Sequence, residues 1–301
     1  MKLLLLNIAL MFVCFNVRAD DSGSCGKYCS YTFNGETGEL FISGTGEMDD
    51  YALNQTGKPW NDYKTSITNI KIAKGITSIG SYAFSGTSNL QSIEIPDTVT
   101  TIKNYGIYKT GLTSVTIPDS VTTIRDAAFY LSPLTEVKFG ENSKLSTLGG
   151  AAFNGTKLVE INIPKNVTAI NWNTFYGVTT LQSVTIPDGV TSVGSSAFTA
   201  VTLSNIVCSE DNLARFLEHG GKMSADAEII CTQGECENAL KGTQYASLTN
   251  HVTYFRRQAD GSTNIYRGGK LRGFKNKRIY TVDEAELLSK PQGNKFRLRY
   301  K

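Results

Sequence analysis

Five cysteines follow residue 19 and offer the first possibility of chemistry: Cys25, Cys29, Cys208, Cys231 and Cys236. A structural zinc site needs two closely spaced donor pairs, or a pair with histidines. Here the local pairs, Cys25/Cys29 and Cys231/Cys236, lie far apart in the chain and have no histidine near them. Metal binding is therefore not expected, and the five thiols are disulfide candidates with one left over. His219 and His251 are the only histidines. The chain has no G-x-S-x-G, H-E-x-x-H or P-loop pattern, and Gly44-Thr45-Gly46 lacks the third glycine of a dinucleotide fingerprint. Carboxylate neighbours such as Asp49/Asp50 and Glu235/Glu237 read as solvated loops and not as an acid/base pair. Asn54, Asn154 and Asn166 open glycosylation sequons, which matter only in a cell that glycosylates. No enzyme and no cofactor are expected.

The elements that carry these residues are set by export and by repetition. Of 301 residues, 40% are hydrophobic and 19% charged, too apolar a mixture for wholesale disorder. Lys2, an apolar run over 3–17 and Val17-Arg18-Ala19 form a secretory leader, with cleavage expected after Ala19. Cys14 follows Phe12 and Val13, not the small residue of a lipid-attachment signal. No later run approaches the roughly 20 apolar residues of a bilayer span, so a secreted, cell-surface or periplasmic protein is expected. The net charge of +3 hides an asymmetry: residues 20–250 carry −8 and residues 251–301 carry +9.

Beneath this lies a period. Leu90-Gln91-Ser92-Ile93-Glu94-Ile95-Pro96 recurs as Leu112-Thr113-Ser114-Val115-Thr116-Ile117-Pro118, as Leu158-Val159-Glu160-Ile161-Asn162-Ile163-Pro164 and as Leu181-Gln182-Ser183-Val184-Thr185-Ile186-Pro187. Degenerate copies begin at Ile67, Leu134 and Leu203, and successive copies are 23, 22, 22, 24, 23 and 22 residues apart. A second ladder, Ile76/Ile79, Val99/Ile102, Val121/Ile124, Leu145/Leu148, Val167/Ile170 and Val190/Val193, keeps phase with it. Phe84, Ile107, Phe129, Phe153, Phe175 and Phe198 form a third.

A unit of about 22 residues cannot bury its own large apolar side chains, but stacked units can. The aliphatic positions two apart point to one side of a strand, so each unit adds a short strand to a parallel sheet. Proline ends the strand, the Val-Thr-x-Ile stretch forms a return side, and Phe fills the space between. The outward strand positions then make two polar columns, Asn69, Ser92, Ser114, Glu136, Glu160, Ser183 and Lys71, Glu94, Thr116, Lys138, Asn162, Thr185. This strip has few aromatics to anchor a partner.

The pattern LxxΦxIPxxVTxIGxxAF resembles the leucine-rich repeat of BspA-like, or Treponema pallidum-type, surface proteins over roughly residues 60–208. The resemblance implies a right-handed, curved solenoid with its parallel sheet on the concave face and little helix. It also implies an exported protein engaged in adhesion or protein binding. The sequence departs from the pattern at Asn104-Tyr105-Gly106-Ile107 and at Gly140-Glu141-Asn142, where changes confined to local loops are expected.

The expected organisation is a leader over 1–19, an N-terminal β cap over 20–59 ending at Trp60, repeats over 60–208, a C-terminal cap and linker over 209–250, and a small basic α+β module over 251–301. Residues 209–219 read as a short helix stopped by Gly220-Gly221. If Ile229-Ile230-Cys231 is a last strand, Cys208 and Cys231 stand on adjacent coils within disulfide reach, and Cys25–Cys29 and Cys231–Cys236 are the other local possibilities. In the basic module a hairpin around Gly268-Gly269, a helix over 282–289 behind the capping box Thr281 to Glu284, and a strand over 296–300 are expected. Arg267, Lys270, Arg272, Lys275, Lys277 and Arg278 are its candidate contacts. The expected partners are surface or matrix proteins of a host or neighbouring cell, or envelope glycans, and not nucleic acid. The rival expectation is a structural envelope component held by the basic tail.

Overall fold

The computed structural model describes residues 20–53, 57–257, 263–267 and 270–275. The leader, Lys277, Arg278 and the helix and strand expected over 282–300 lie outside these residues.

The chain opens with an antiparallel meander of strands Asp21–Gly26, Cys29–Asn34 and Glu39–Gly44. Tyr31 and Phe33 alternate inward from the middle strand, while the third pairs in parallel with Asn69–Ile72, setting Leu40 beside Ile70 and Ile42 beside Ile72. The cap thus presents a matching edge to the first repeat. Trp60 seals the junction, fully buried, with Nε1 donating to the Ala83 carbonyl at 2.8 Å and its ring stacked on Phe84.

Each repeat then makes one coil of a solenoid with three sides. The first side carries strands Asn69–Ile72, Ser92–Glu94, Ser114–Ile117, Glu136–Phe139, Glu160–Asn162, Ser183–Thr185 and Thr202–Cys208. The second carries short pairings from Ile76–Ile79 through Thr101–Ile102 and Thr123–Ile124 to Thr147–Leu148, then Ala169–Ile170 with Ser192–Val193. The third carries the Ala-Phe turns. Phe84, Ile107, Phe129, Phe153, Phe175 and Phe198 are fully buried, and the last four phenyl rings stack at 5.4, 5.9 and 5.4 Å. Burial of these ladders at about 1.5–3 kcal/mol per large side chain is what drives neighbouring coils together.

The third side is made by an unusual backbone state. Tyr82, Tyr105, Ala127, Ala151, Asn173 and Ser196, each two residues before the ladder position, have φ between 53° and 57°. A left-handed conformation costs an L-residue about 1–2 kcal/mol. Here the N–H groups of Tyr82, Tyr105, Ala127, Ala151 and Asn173 each donate to a carbonyl of the next coil, which offsets that cost by regular hydrogen bonding.

At the C-terminal end Ser209 Oγ accepts from the Asn212 N–H and caps the helix Glu210–Glu218, whose Phe216 meets Phe198 edge-on at 5.0 Å. The helix covers the last phenyl ring, but the sheet continues. Thr202–Cys208 pairs in parallel with Lys222–Cys231, and that strand pairs with Val252–Arg257. The antiparallel strands Thr263–Arg267 and Lys270–Lys275 follow, so the hairpin expected around Gly268-Gly269 extends the same sheet.

The structure decides between the open cysteine pairings in favour of the two local ones. Cys208 and Cys231 are register partners on adjacent strands, yet the disulfides are Cys25–Cys29 and Cys231–Cys236. The turn after Cys231 folds back and brings the Cys236 Cα to 5.9 Å from that of Cys231, within disulfide range. Cys208 keeps a buried thiol, and burial pushes its pKa up, away from the reactive thiolate.

Candidate functional site

The two polar columns of the first side lie as the alternation predicts, side by side across the coils: Asn69 beside Ser92, Lys71 beside Glu94, Ser114 beside Glu136, Thr116 beside Lys138, Glu160 beside Ser183 and Asn162 beside Thr185. Ser92 Oγ donates to Asn69 Oδ1 at 2.8 Å and Thr185 Oγ1 to Asn162 Oδ1 at 2.8 Å. Lys138 pairs with Glu136 at 3.1 Å, and Lys71 with Glu94 at 3.9 Å. Most column residues are exposed or half-buried, but Thr185 is buried.

The strand face is not continuous. Glu136–Phe139 pairs only with Ser114–Ile117, and Glu160–Asn162 pairs only with Ser183–Thr185, so the described strands leave no ladder between Glu136–Phe139 and Glu160–Asn162. The second side breaks at the same coil boundary: Thr147–Leu148 ends one sheet and Ala169–Ile170 begins another. A local loop change at Gly140-Glu141-Asn142 is therefore too small a description. Gly140 packs against Asp119, where a Cβ would lie 2.0 Å from Oδ1, and the Asn142 N–H donates to the same oxygen at 3.1 Å. The loop is tied to the preceding coil through Gly140, Asn142 and Lys144, and to the following one through Asn166. The 24-residue spacing falls at this step.

The split opens a cleft of about 550 Å³ on the strand face. Glu136, Lys138, Glu160, Asn162 and Thr185, five of the residues expected at the site, line it together with Glu141 and Lys165. The aliphatic floor differs across it: Ile161 and Ile163 are buried, whereas Val137 and Phe139 are half-buried. An apolar floor between rims of mixed charge can hold a polypeptide surface with its own alternating polar and apolar groups. Asn69, Lys71, Ser92, Glu94, Ser114 and Thr116 lie on the coils before the cleft, and Ser183 on the coil after it.

Across this seam the coils keep the backbone bonds of the third side, where the N–H groups of Ala151, Phe153 and Gly155 donate to the Trp172, Thr174 and Tyr176 carbonyls, and side chains add to them. Asn166 Nδ2 donates to the Ser143 carbonyl at 3.0 Å and Asn171 Nδ2 to that of Leu148 at 2.6 Å. The Phe153–Phe175 stack crosses it inside. Outside, a Cβ on Gly150 would lie 2.3, 2.4 and 2.8 Å from Trp172 Cε2, Nε1 and Cδ2. All three atoms belong to the five-membered ring, so the indole lies face-on over Gly150.

Arg267, the one basic residue of the tail whose side chain is described, pairs with Glu228 on strand Lys222–Cys231. Lys270, Arg272 and Lys275 belong to the strand Lys270–Lys275. Among the described residues no three His, Cys, Asp or Glu side chains converge as metal ligands, and no helix is long and apolar enough to cross a membrane. Sequence reasoning missed the aromatics of the third side. Their signal was available in Tyr82 and Tyr105, two positions before the ladder residue, and Tyr108, Tyr130 and Tyr176, one position after it.

Stacked coils of 22–24 residues with a parallel strand apiece and aliphatic ladders between them define a leucine-rich repeat solenoid. The description "BspA type Leucine rich repeat region" matches six copies over residues 62–179 and 146–219, together just over half the chain. The protein belongs to the BspA-type leucine-rich repeat family. Among solved structures, a leucine-rich repeat protein from Eubacterium ventriosum is 20% identical, with 71% of this chain and 79% of that one covered and a TM-score of 0.32. The T. pallidum leucine-rich repeat protein is 16% identical, with 58% and 87% covered and a TM-score of 0.43. A leucine-rich cell surface protein from Faecalibacterium prausnitzii is 17% identical, with 78% and 94% covered and a TM-score of 0.26. No curated protein matches the sequence.

Proposed function

We propose that this protein is an exported, non-enzymatic interaction protein, adhesin-like, that binds proteins of another cell's surface or matrix on the first side of its solenoid. The observation that carries this reading is the cleft where the strand face divides, with an apolar floor and the charged rims Glu136, Glu160, Lys138 and Lys165. Membership in the BspA-type repeat family supports it, as does the absence of catalytic motifs from the sequence.

The experiment is capture of immobilised extracellular-matrix proteins by residues 20–301, beside a Glu136→Lys/Glu160→Lys variant. Reversing both charges at the cleft rim is expected to lower capture about tenfold. Unchanged capture would remove the cleft from the reading, and no capture of any matrix protein would remove adhesion. The second reading, retention on the producing cell's envelope through the basic tail, is favoured by the +9 charge of residues 251–301. Its truncation belongs after Lys275, because stopping at Asn250 would strip Val252–Arg257 from the sheet. Tail-driven binding to a polyanion should weaken steeply with salt.

A further inference from the structure

We infer that the third side of the solenoid is a second binding surface, for a linear acidic polysaccharide lying along the solenoid axis. This inference is independent of the strand-face reading.

Trp172 and Tyr176 are the most exposed rings of the repeats, at 47% and 43%. The inner face of the Trp172 indole rests on Gly150, which fixes the ring and leaves the opposite face to solvent. A rigid, half-exposed aromatic face suits the flat C–H face of a sugar ring at little entropic cost. Beside it, the side-chain amides of Asn154 and Asn173 make no hydrogen bond among the described residues, leaving donors and acceptors for hydroxyls.

The surface continues along the axis. Tyr82 stacks on Tyr105 at 4.8 Å with 5° between planes, and Tyr108 on Tyr130 at 5.4 Å with 14°. Stacking covers ring faces and leaves edges and hydroxyls outward, a row of polar groups over the three coils of Phe84, Ile107 and Phe129. Adjacent strands repeat at about 4.8 Å, close to the length of one pyranose residue. From the coil of Tyr82 to that of Trp172 is four steps, roughly 20 Å at that pitch, with surface rings on every coil but that of Phe153, which offers Asn154 instead.

Charge selects the kind of polymer. Lys109 sits over the Tyr108 ring at 5.2 Å, and Arg125 is exposed two residues before Ala127. Neither has a carboxylate partner among the described residues, although residues 20–250 are net acidic. Asp126, the nearest acid in sequence, is engaged by the Gly150 N–H at 2.7 Å. Two cations without carboxylate partners along an aromatic row, Lys109 held by Tyr108, fit uronate carboxylates.

The test uses indole fluorescence, because Trp60 is fully buried in the cap and Trp172 reports the surface. Residues 20–301 are titrated with oligogalacturonate, oligomannuronate and hyaluronan oligosaccharides, with cellohexaose as the neutral control. At least one acidic oligosaccharide should change Trp172 emission saturably. Tyr176→Ala and Arg125→Ala should each weaken that binding about tenfold while keeping the wild-type thermal transition. Trp172→Phe should abolish the signal but retain binding by calorimetry. No saturable change with any acidic oligosaccharide, an equal response to cellohexaose, or affinity unaltered in Tyr176→Ala and Arg125→Ala would overturn the inference.

Discussion

Phe153→Ala should uncouple the two halves of the solenoid. Phe153 is fully buried, with Phe129 at 5.4 Å on one side and Phe175 at 5.9 Å on the other, the latter across the boundary where both sheets break. Truncating a buried phenylalanine costs about 3–5 kcal/mol. Phe129→Ala removes the same side chain but only one phenyl contact, so it should cost less by about 0.5–1.5 kcal/mol. The larger difference is in cooperativity. In a stacked array, stability is a sum of unit terms and nearest-neighbour interfaces, and at this interface no strand ladder backs up the ring: the backbone bonds that cross it are those of the third side, from Ala151, Phe153 and Gly155, and of the strand entry, from Lys157 and Val159. Phe129 lies inside the first half, where Thr123–Ile124 still pairs with Thr101–Ile102 and with Thr147–Leu148, and its loss leaves that ladder whole. The assay is urea unfolding in a Trp172→Phe background, comparing emission from Trp60, which reports the first half, with far-ultraviolet circular dichroism, which reports both. The two midpoints should separate in Phe153→Ala and coincide in Phe129→Ala. Coincident midpoints in Phe153→Ala would refute the claim that this boundary is the weak one.

Three further outcomes follow from particular contacts. Non-reducing tryptic mapping should find the peptide over 223–241 resistant to alkylation until reduced, with Cys231 and Cys236 bonded within it, and Cys208 alkylated only after unfolding; a crosslink between the peptides of Cys208 and Cys231 would contradict the assignment. Lys58 is 3% exposed, donates to the Ser85 carbonyl at 2.6 Å, and has its pKa brought down to about 7 by burial and then by the nearby Lys64 charge. The unfolded lysine titrates near 10.4, so between pH 7 and 9 the unfolded chain holds a proton that the folded chain releases. Stability should rise with pH by up to about 2 kcal/mol across that window and fall as pH drops toward 7. Lys58→Met should flatten the slope, as read from melting temperature against pH. Gly150→Ala drives a Cβ into the Trp172 indole, which should cost about 1–3 kcal/mol and shift Trp172 emission to the red; an unmoved spectrum would mean the ring does not rest there.

The core was legible because three ladders share one period, and each position is read three ways. Val99, Val121 and Val190, for example, are buried at the offset their Pro and Ile neighbours predict. The strand columns were legible for the same reason, since alternation fixes the side that a residue faces. The cysteine pairing was legible only as a choice between alternatives, because register sets which residues stand opposite each other but not where a following turn brings a third. Nor was the left-handed state at Tyr82, Ala127 and Asn173, where no glycine marks the position and the favourable contribution comes from carbonyls a coil away.

The seam and the aromatic row show why the departures from the repeat carry more information than the repeat itself. A regular coil presents the same groups as its neighbours and makes a uniform surface. At this boundary Gly140 and Asn142 hold their loop to Asp119, both sheets break, and the strand face has its recess. Once that ladder is missing, Asn166, Asn171 and Trp172 bridge the gap from the following coil. Bridging places the indole flat on Gly150 with its other face exposed. The residue that mends the second and third sides is thus also the one best placed to receive a sugar ring. Replacing Gly140-Glu141 by Pro-Asp, as at Pro118-Asp119 of the preceding repeat, should close the recess. If the two features share this origin, it should also lower oligosaccharide affinity at Trp172 without any change to the ring itself.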